Sequence, residues 1–181
     1  MKIGIVIGSI REGRKGERVG RWVERISRDH GVDVEVLDLK TFDLPLLTAP
    51  MPPAAAGGRY DSPEAQLWSR AVAACDGFVF VTPEYNHGVP GVFKNAVDTL
   101  APEWAEKVVG FVSYGTDGGV RAVEQWRQIV ANLRMYDVRA QVAMSIFTEF
   151  GDDGSFTPLE RREAEVRTLL DQVTALTARV R

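Results

Sequence analysis

Phe78-Val79-Phe80-Val81-Thr82-Pro83-Glu84-Tyr85-Asn86-His87-Gly88-Val89-Pro90-Gly91 passes from a purely apolar run into ten residues that hold two prolines and two glycines. A helical pattern follows at once, Val92-Phe93-Lys94-Asn95-Ala96-Val97-Asp98. The run reads as a strand buried on both faces, and the Pro/Gly segment as a stiff turn that exposes backbone. An acid, a phenol, an amide and an imidazole stand between the two prolines. A strand that ends in such a loop and then enters a helix is where open α/β sheets hold their ligands.

Working outward, the same grammar recurs. Lys2 to Ile7 is an apolar strand ending at Gly8-Ser9-Ile10-Arg11-Glu12-Gly13-Arg14-Lys15-Gly16, and Val19, Trp22, Val23 and Ile26 then keep helical spacing. Gly31 closes that helix, and Val32 to Asp38 alternates apolar with acidic residues. Phe42 to Ser62 is irregular, with five prolines or glycines between Pro50 and Gly58. Ser62 and Pro63 open a helix on Leu67, Trp68, Ala71, Val72 and Cys75. After the quoted strand, a short helix runs from about Pro90 to Leu100. Lys107 to Val112 is a fourth strand, ending in the loop Ser113-Tyr114-Gly115-Thr116-Asp117-Gly118-Gly119. A helix on Val123, Trp126, Ile129, Val130 and Leu133 leads to an alternating strand, Val138 to Met144. Leu159 to Val180 closes the chain as an amphipathic helix. Trp22, Trp68 and Trp126 are expected in the core, and Trp104 over a loop.

Five strands and five helices in alternation imply a parallel sheet covered on both faces. The strand patterns assign the order. Strands one, three and four are apolar throughout or nearly so, as central strands of a parallel sheet are. Strands two and five alternate, as partly exposed edge strands do. The flavodoxin-like doubly wound order 2-1-3-4-5 satisfies this, and its switch point lies between strands one and three. The loops after strands one, three and four should therefore converge on one ligand. No internal repeat or domain boundary interrupts the chain, which reads as a single domain over residues 1–181.

Composition narrows the function. Apolar residues are 45% of the 181, charged residues 26%, and the formal net charge is -3. That balance argues against a nucleic-acid binder relying on a basic surface. No apolar run reaches the roughly 18 residues of a membrane span, and the apolar N-terminus is too short for a signal sequence. One cysteine, Cys75, allows no intramolecular disulfide and fits a reducing compartment. A cytoplasmic protein is the expectation, and no metal-ligating cluster stands out.

The first loop brings Ser9, Arg11, Arg14 and backbone amides to a helix N-terminus, an arrangement suited to an anion. It lacks the Gly-Lys-Ser/Thr of a Walker motif and the second glycine of a dinucleotide fingerprint. Asp38, at the end of strand two, keeps open a reading as a ribose acid and hence a nicotinamide enzyme without flavin. In the flavodoxin-like order, one phosphate at this point suggests a mononucleotide. The second loop offers flat backbone flanked by Tyr85 and His87, and the glycines of the third allow close approach. One phosphate site plus two planar-ring loops fits FMN.

The strings Gly8-Ser9-Ile10-Arg11, Pro83 through Asp98 and Ser113-Tyr114-Gly115, in this order and spacing, resemble the NADPH-dependent FMN reductase family, which includes quinone, chromate and azo-dye reductases. The resemblance implies non-covalent FMN, NADPH or NADH as donor, a small-molecule acceptor, and a homodimer or homotetramer. By position, Ser9 and Arg11 would hold the phosphate with amides near Gly16 and Glu17. Pro83, Glu84, Tyr85, Asn86 and His87 would line the isoalloxazine, with amide donors from Gly88 to Gly91. Ser113, Tyr114 and Gly115 would flank its other edge. Many relatives have Ser-x-Asn where this chain has Arg14-Lys15-Gly16, so Arg14 either replaces a serine hydroxyl or points to solvent. Hydride would pass from the nicotinamide to FMN and on to the acceptor by ping-pong turnover. No side chain is needed as a nucleophile, while His87 and Tyr85 are acceptor-site candidates. Lys94, Arg121 and Arg127 are candidates for the donor's 2′-phosphate. The alternative is a flavodoxin-like carrier with no turnover of its own, disfavoured by the arginine-bearing loop and the small net charge.

Overall fold

A computed structural model describes residues 1–181. Strands β1 (Lys2–Ile7), β2 (Asp33–Asp38), β3 (Gly77–Pro83), β4 (Val108–Gly115) and β5 (Tyr136–Ser145) form one sheet in the order β2-β1-β3-β4-β5. Every pairing is parallel. The expected order is therefore observed, and burial follows the same logic. β3 and β4 are buried at every position, whereas β2 and β5 mix buried with exposed residues.

The helices are α1 (Gly16–Asp29), α2 (Leu39–Phe42), α3 (Pro63–Ala73), α4 (Gly91–Asp98), α5 (Val120–Asn132) and α6 (Arg161–Val180). α2 breaks the expected alternation of five and five. It is a single turn directly after β2, and it forms because the Asp38 carboxylate accepts the Lys40 N–H at 3.0 Å as an N-cap. Pro53–Ala55 adds a short 3₁₀ turn to the irregular segment. Strand ends differ too. β3 continues through Pro83 and β4 through Gly115, so Ser113, Tyr114 and Gly115 belong to the strand rather than to the loop beyond it. Pro83, which has no N–H to give, is the last residue of β3, and the Glu84 N–H beyond it donates to the Tyr114 carbonyl of β4 at 3.1 Å.

Alternate strand residues serve two cores. Ile3, Ile5, Val79, Val81 and Val112 pack against α1 and α6. Val6, Phe78, Phe80 and Phe111 pack against α3, α4 and α5. The second core is aromatic, and its tryptophans are anchored by their indoles. Trp68 donates to the Ala96 carbonyl at 2.8 Å and Trp104 to that of Val97 at 3.0 Å. Both carbonyls lie in the last turns of α4, so two buried rings fix the helix that follows the Pro/Gly loop. Trp104 is thus a core residue, not a loop cover. Trp126 donates to Thr82 Oγ1 at 3.1 Å, which ties α5 to the end of β3. Trp22 is half-buried against Phe156.

Candidate functional site

The loops after β1, β3 and β4 converge at the carboxyl ends of the central strands. They enclose a cavity of about 470 Å³ lined by Arg11 to Lys15, Pro83 to His87, Tyr114 to Thr116, and Ile146. That volume suits a small ligand or cofactor.

The β1 loop reaches α1 with no side chain bonded to the helix's first amides; Lys15 occupies the cap position in a helical conformation. The free N–H groups and the positive end of the helix therefore face the loop, as an anion site requires. Gly16 is needed there, because a Cβ would collide with Ser9 Oγ and lie 2.6 Å from the Tyr114 hydroxyl. Ser9 is fully buried, and its Oγ accepts the Tyr114 O–H at 3.1 Å. Burial raises the Tyr114 phenol above its ordinary range, so it stays a neutral donor. Arg11 reaches the other way, its guanidinium 5.8 Å from the centre of the Tyr85 ring.

Arg14 does not point to solvent. Its two Nη atoms sit 2.5 Å from the two carboxylate oxygens of Asp38, and Nη1 also donates to the Ser9 carbonyl at 2.7 Å. Its side chain is 8% exposed and that of Asp38 14%. The bidentate pair holds the β1 loop against the end of β2. Asp38, read from the sequence as a candidate ribose acid, is engaged instead by Arg14 and by the α2 cap.

The β3 loop is a two-residue hairpin. Tyr85 and Gly88 exchange backbone bonds at 3.0 Å, and Asn86 and His87 form the tip with φ of 50° and 64°. Two successive positive φ values define a type I′ turn, usually built from Asn and Gly. His87 therefore adopts a strained conformation, a recurrent feature of functional sites. Gln125 of α5 clamps the tip: Nε2 donates to the His87 carbonyl at 2.9 Å and Oε1 accepts the Val89 N–H at 3.2 Å. Glu84 faces the opposite way, capping α5 through Arg121 and Ala122.

Of the sequence candidates, Arg11, Arg14, Pro83, Glu84, Tyr85, Asn86, His87, Tyr114 and Gly115 line the cavity. Ser9, Gly16, Gly88 and Ser113 are not part of its lining, and Ser9 and Ser113 are fully buried. Ser113 is turned inward, its hydroxyl donating to the Gly118 carbonyl at 2.7 Å. Glu17 lies on an adjoining groove. Ile146 and Gln125 escaped the sequence reading. Ile146 enters because its N–H donates to the Gly115 carbonyl at 3.0 Å, which lays the chain after β5 against the end of β4. Buried Glu149 secures that chain by accepting from the N–H of Leu159 and the guanidinium of Arg162. No sequence motif marks either contact. Phe147, beside Ile146, stands largely exposed.

An uncapped helix start, a glycine-dependent cradle and a flat-walled cavity at the switch point define a flavodoxin-like mononucleotide protein, and the donor set fits FMN. The sequence profile of the family described as NADPH-dependent FMN reductase matches residues 1–149. The chain belongs to this family. It is 40% identical over 129 residues to the NAD(P)H-dependent FMN reductase ntnL of Nectria sp., covering 68% of this chain. The match spans 64% of that relative's own length. It is 36% identical over 156 residues, 81% of each chain, to the NAD(P)H-dependent FMN reductase LOT6 of Saccharomyces cerevisiae. In fold it resembles FerB, a flavoenzyme NAD(P)H:(acceptor) oxidoreductase from Paracoccus denitrificans, with a TM-score of 0.74, 18% identity and coverage of 96% and 97% of the two chains.

Proposed function

We propose that this chain is an NAD(P)H oxidoreductase that holds FMN non-covalently and passes reducing equivalents to a small acceptor such as a quinone, an azo compound, chromate or free flavin. The observation that carries the reading is the single cavity into which all three strand-end loops open beside the uncapped start of α1. Family membership supports the donor and the cofactor.

When bound, FMN supplies the hydride-accepting and electron-releasing chemistry. The protein supplies position. The first amides of α1, with Arg11, hold the phosphate, and buried Ser9 braces the loop behind them through Tyr114. Pro83 to His87 form a rigid wall for the ring, stiffened by the hairpin and by Gln125. Tyr114 and Gly115 bound the opposite edge. Backbone N–H groups of the hairpin and of the α4 start stabilise negative charge on the ring. His87, at the tip of the hairpin that lines the cavity, delivers a proton to the reduced acceptor. Donor and acceptor reach the ring by the same opening, which makes turnover ping-pong.

The chain acts as a homodimer. Leu46, Leu47 and Met51 are 76%, 39% and 56% exposed, an apolar strip that a second copy would cover. The strip is held firm, since Asn95 donates to the Pro45 carbonyl and accepts the Leu47 N–H, both at 2.9 Å. No helix is long and apolar enough to cross a membrane. The lone cysteine, unpaired and buried, supports a reducing cytoplasmic setting.

Colour is the test. The purified protein should carry or take up FMN and be bleached by NADPH without oxygen, then recover on adding a quinone. A yellow protein that NADPH does not bleach would make it an electron carrier. A colourless protein that ignores added FMN would overturn the reading.

A further inference from the structure

Beside the cavity, on the outer side of the β1 loop, lies a groove of about 600 Å³ with no apolar lining. Its eight lining residues include five cations, Arg11, Arg14, Arg18, Arg21 and Lys40, against the carboxylates of Glu12 and Glu17. Arg11, Glu12, Gly13 and Arg14 line both spaces, so the groove continues the cavity.

The cations differ in how far they are committed. Arg14 is consumed by Asp38 and forms the back wall. Arg11 and Arg18 have no carboxylate partner; Arg18 is held only through the Gly154 carbonyl. Arg21 pairs with Glu24 and Lys40 with Glu12, but both pairs are exposed, and Glu12 is 93% exposed. Exposed pairs of this kind are worth little, so an anion can replace them. The three cations named from the sequence for the donor's 2′-phosphate, Lys94, Arg121 and Arg127, line neither the groove nor the cavity, and each has its own carboxylate. Arg121 binds Glu84 and Asp117, Arg127 binds Asp137 and Glu124, and Lys94 binds Asp98.

We infer that this groove receives the adenosine 2′-phosphate of the electron donor, with Arg18, Arg21 and Lys40 as its contacts, and that it makes NADPH the preferred donor over NADH. The inference rests on the reading that a nicotinamide dinucleotide reduces a flavin in the adjoining cavity. The chemistry required is a dianionic phosphate monoester recognised by mobile guanidinium and ammonium groups. Arg21 and Lys40 line the groove but not the flavin cavity, so they can be altered without touching the latter.

The test uses the FMN-loaded protein and its Arg21→Ala/Lys40→Ala variant. Adenosine 2′,5′-bisphosphate and 5′-AMP are titrated by calorimetry, and bleaching rates are measured with NADPH and NADH. In the natural protein the bisphosphate should bind at least about tenfold tighter than 5′-AMP, one charge-assisted contact or more. That preference should fall towards unity in the variant and with added salt, with FMN retention and NADH bleaching unchanged. Equal binding of the two nucleotides by the natural protein, or a preference that survives the double substitution, would overturn the inference. Loss of FMN from the variant would also overturn it, by assigning these cations to the flavin phosphate. Failure of NADPH and NADH alike to bleach the natural protein would instead overturn the oxidoreductase reading, and with it the basis for the groove.

Discussion

The Glu84 carboxylate caps the first turn of α5 through Arg121. Oε2 accepts the Arg121 N–H at 3.0 Å and the Ala122 N–H at 3.4 Å, while Oε1 takes the Arg121 guanidinium at 2.7 Å. The residue at the helix's own cap position is Gly119, which has no side chain to offer. A loop residue after β3 thus supplies the cap that the chain after β4 lacks, and the carboxylate also meets the positive end of the helix.

Glu84→Ala should destabilise the protein by about 2 kcal/mol, the cost of orphaning helix amides at a 5%-exposed site. Arg121→Ala should cost under about 1 kcal/mol, because the backbone N–H bonds survive it. Urea denaturation of both variants checks this. Equal losses would show that the ion pair, not the cap, is what matters.

His87 combines a backbone demand with an imidazole, and the two separate by substitution. His87→Asn should keep stability within about 0.5 kcal/mol, since Asn tolerates positive φ, whereas His87→Val should lose about 2 kcal/mol. If the imidazole serves the acceptor, His87→Asn should slow quinone reduction several-fold and leave bleaching by NADPH unchanged. Stopped-flow measurement of the two half-reactions resolves them.

Asp38→Ala should cost about 3 kcal/mol by leaving the Arg14 charge buried without its partner. If the β1 loop holds the flavin phosphate, FMN retention should weaken as well, because that loop loses its tie to β2. Fluorescence titration with FMN alongside thermal melting tests both effects. Unaltered flavin affinity would make the pair a matter of stability alone.

Burial pushes the Cys75 thiol up to about 11 from an ordinary 9.0, with the nearby Glu35 charge adding to it. The folded state therefore holds this proton more tightly than the unfolded chain. Its contribution to stability is complete below pH 9 and is lost as pH rises from 9 towards 11. The native thiol should be silent to thiol reagents at pH 8, and Cys75→Ala should flatten the alkaline fall in stability across that window.

If two copies pair through the Leu46 strip, Leu46→Asp should give a monomer in sedimentation velocity without changing the circular dichroism spectrum, since that side chain is largely exposed. A natural protein that sediments as a monomer would remove this face from consideration.

The sheet order was legible because strand exposure writes itself into side-chain period. β3 and β4 have two covered faces and β2 and β5 do not, and that contrast places every strand. The switch point and the convergence of the β1, β3 and β4 loops on one cavity followed from the order. Contacts between chain segments were not legible. Asp38 looks the same whether it binds a ribose or a guanidinium, and only the closeness of the β1 loop to the end of β2 selects Arg14. Trp104 reads as a loop residue until the end of α4 presents a carbonyl to its indole. Gln125, thirty-eight residues beyond His87, and Ile146, thirty-one beyond Gly115, meet those partners through single hydrogen bonds. Periodicity records which face of an element is covered. It carries no record of which distant polar atom a side chain will find, since that depends on how separate elements pack together in space.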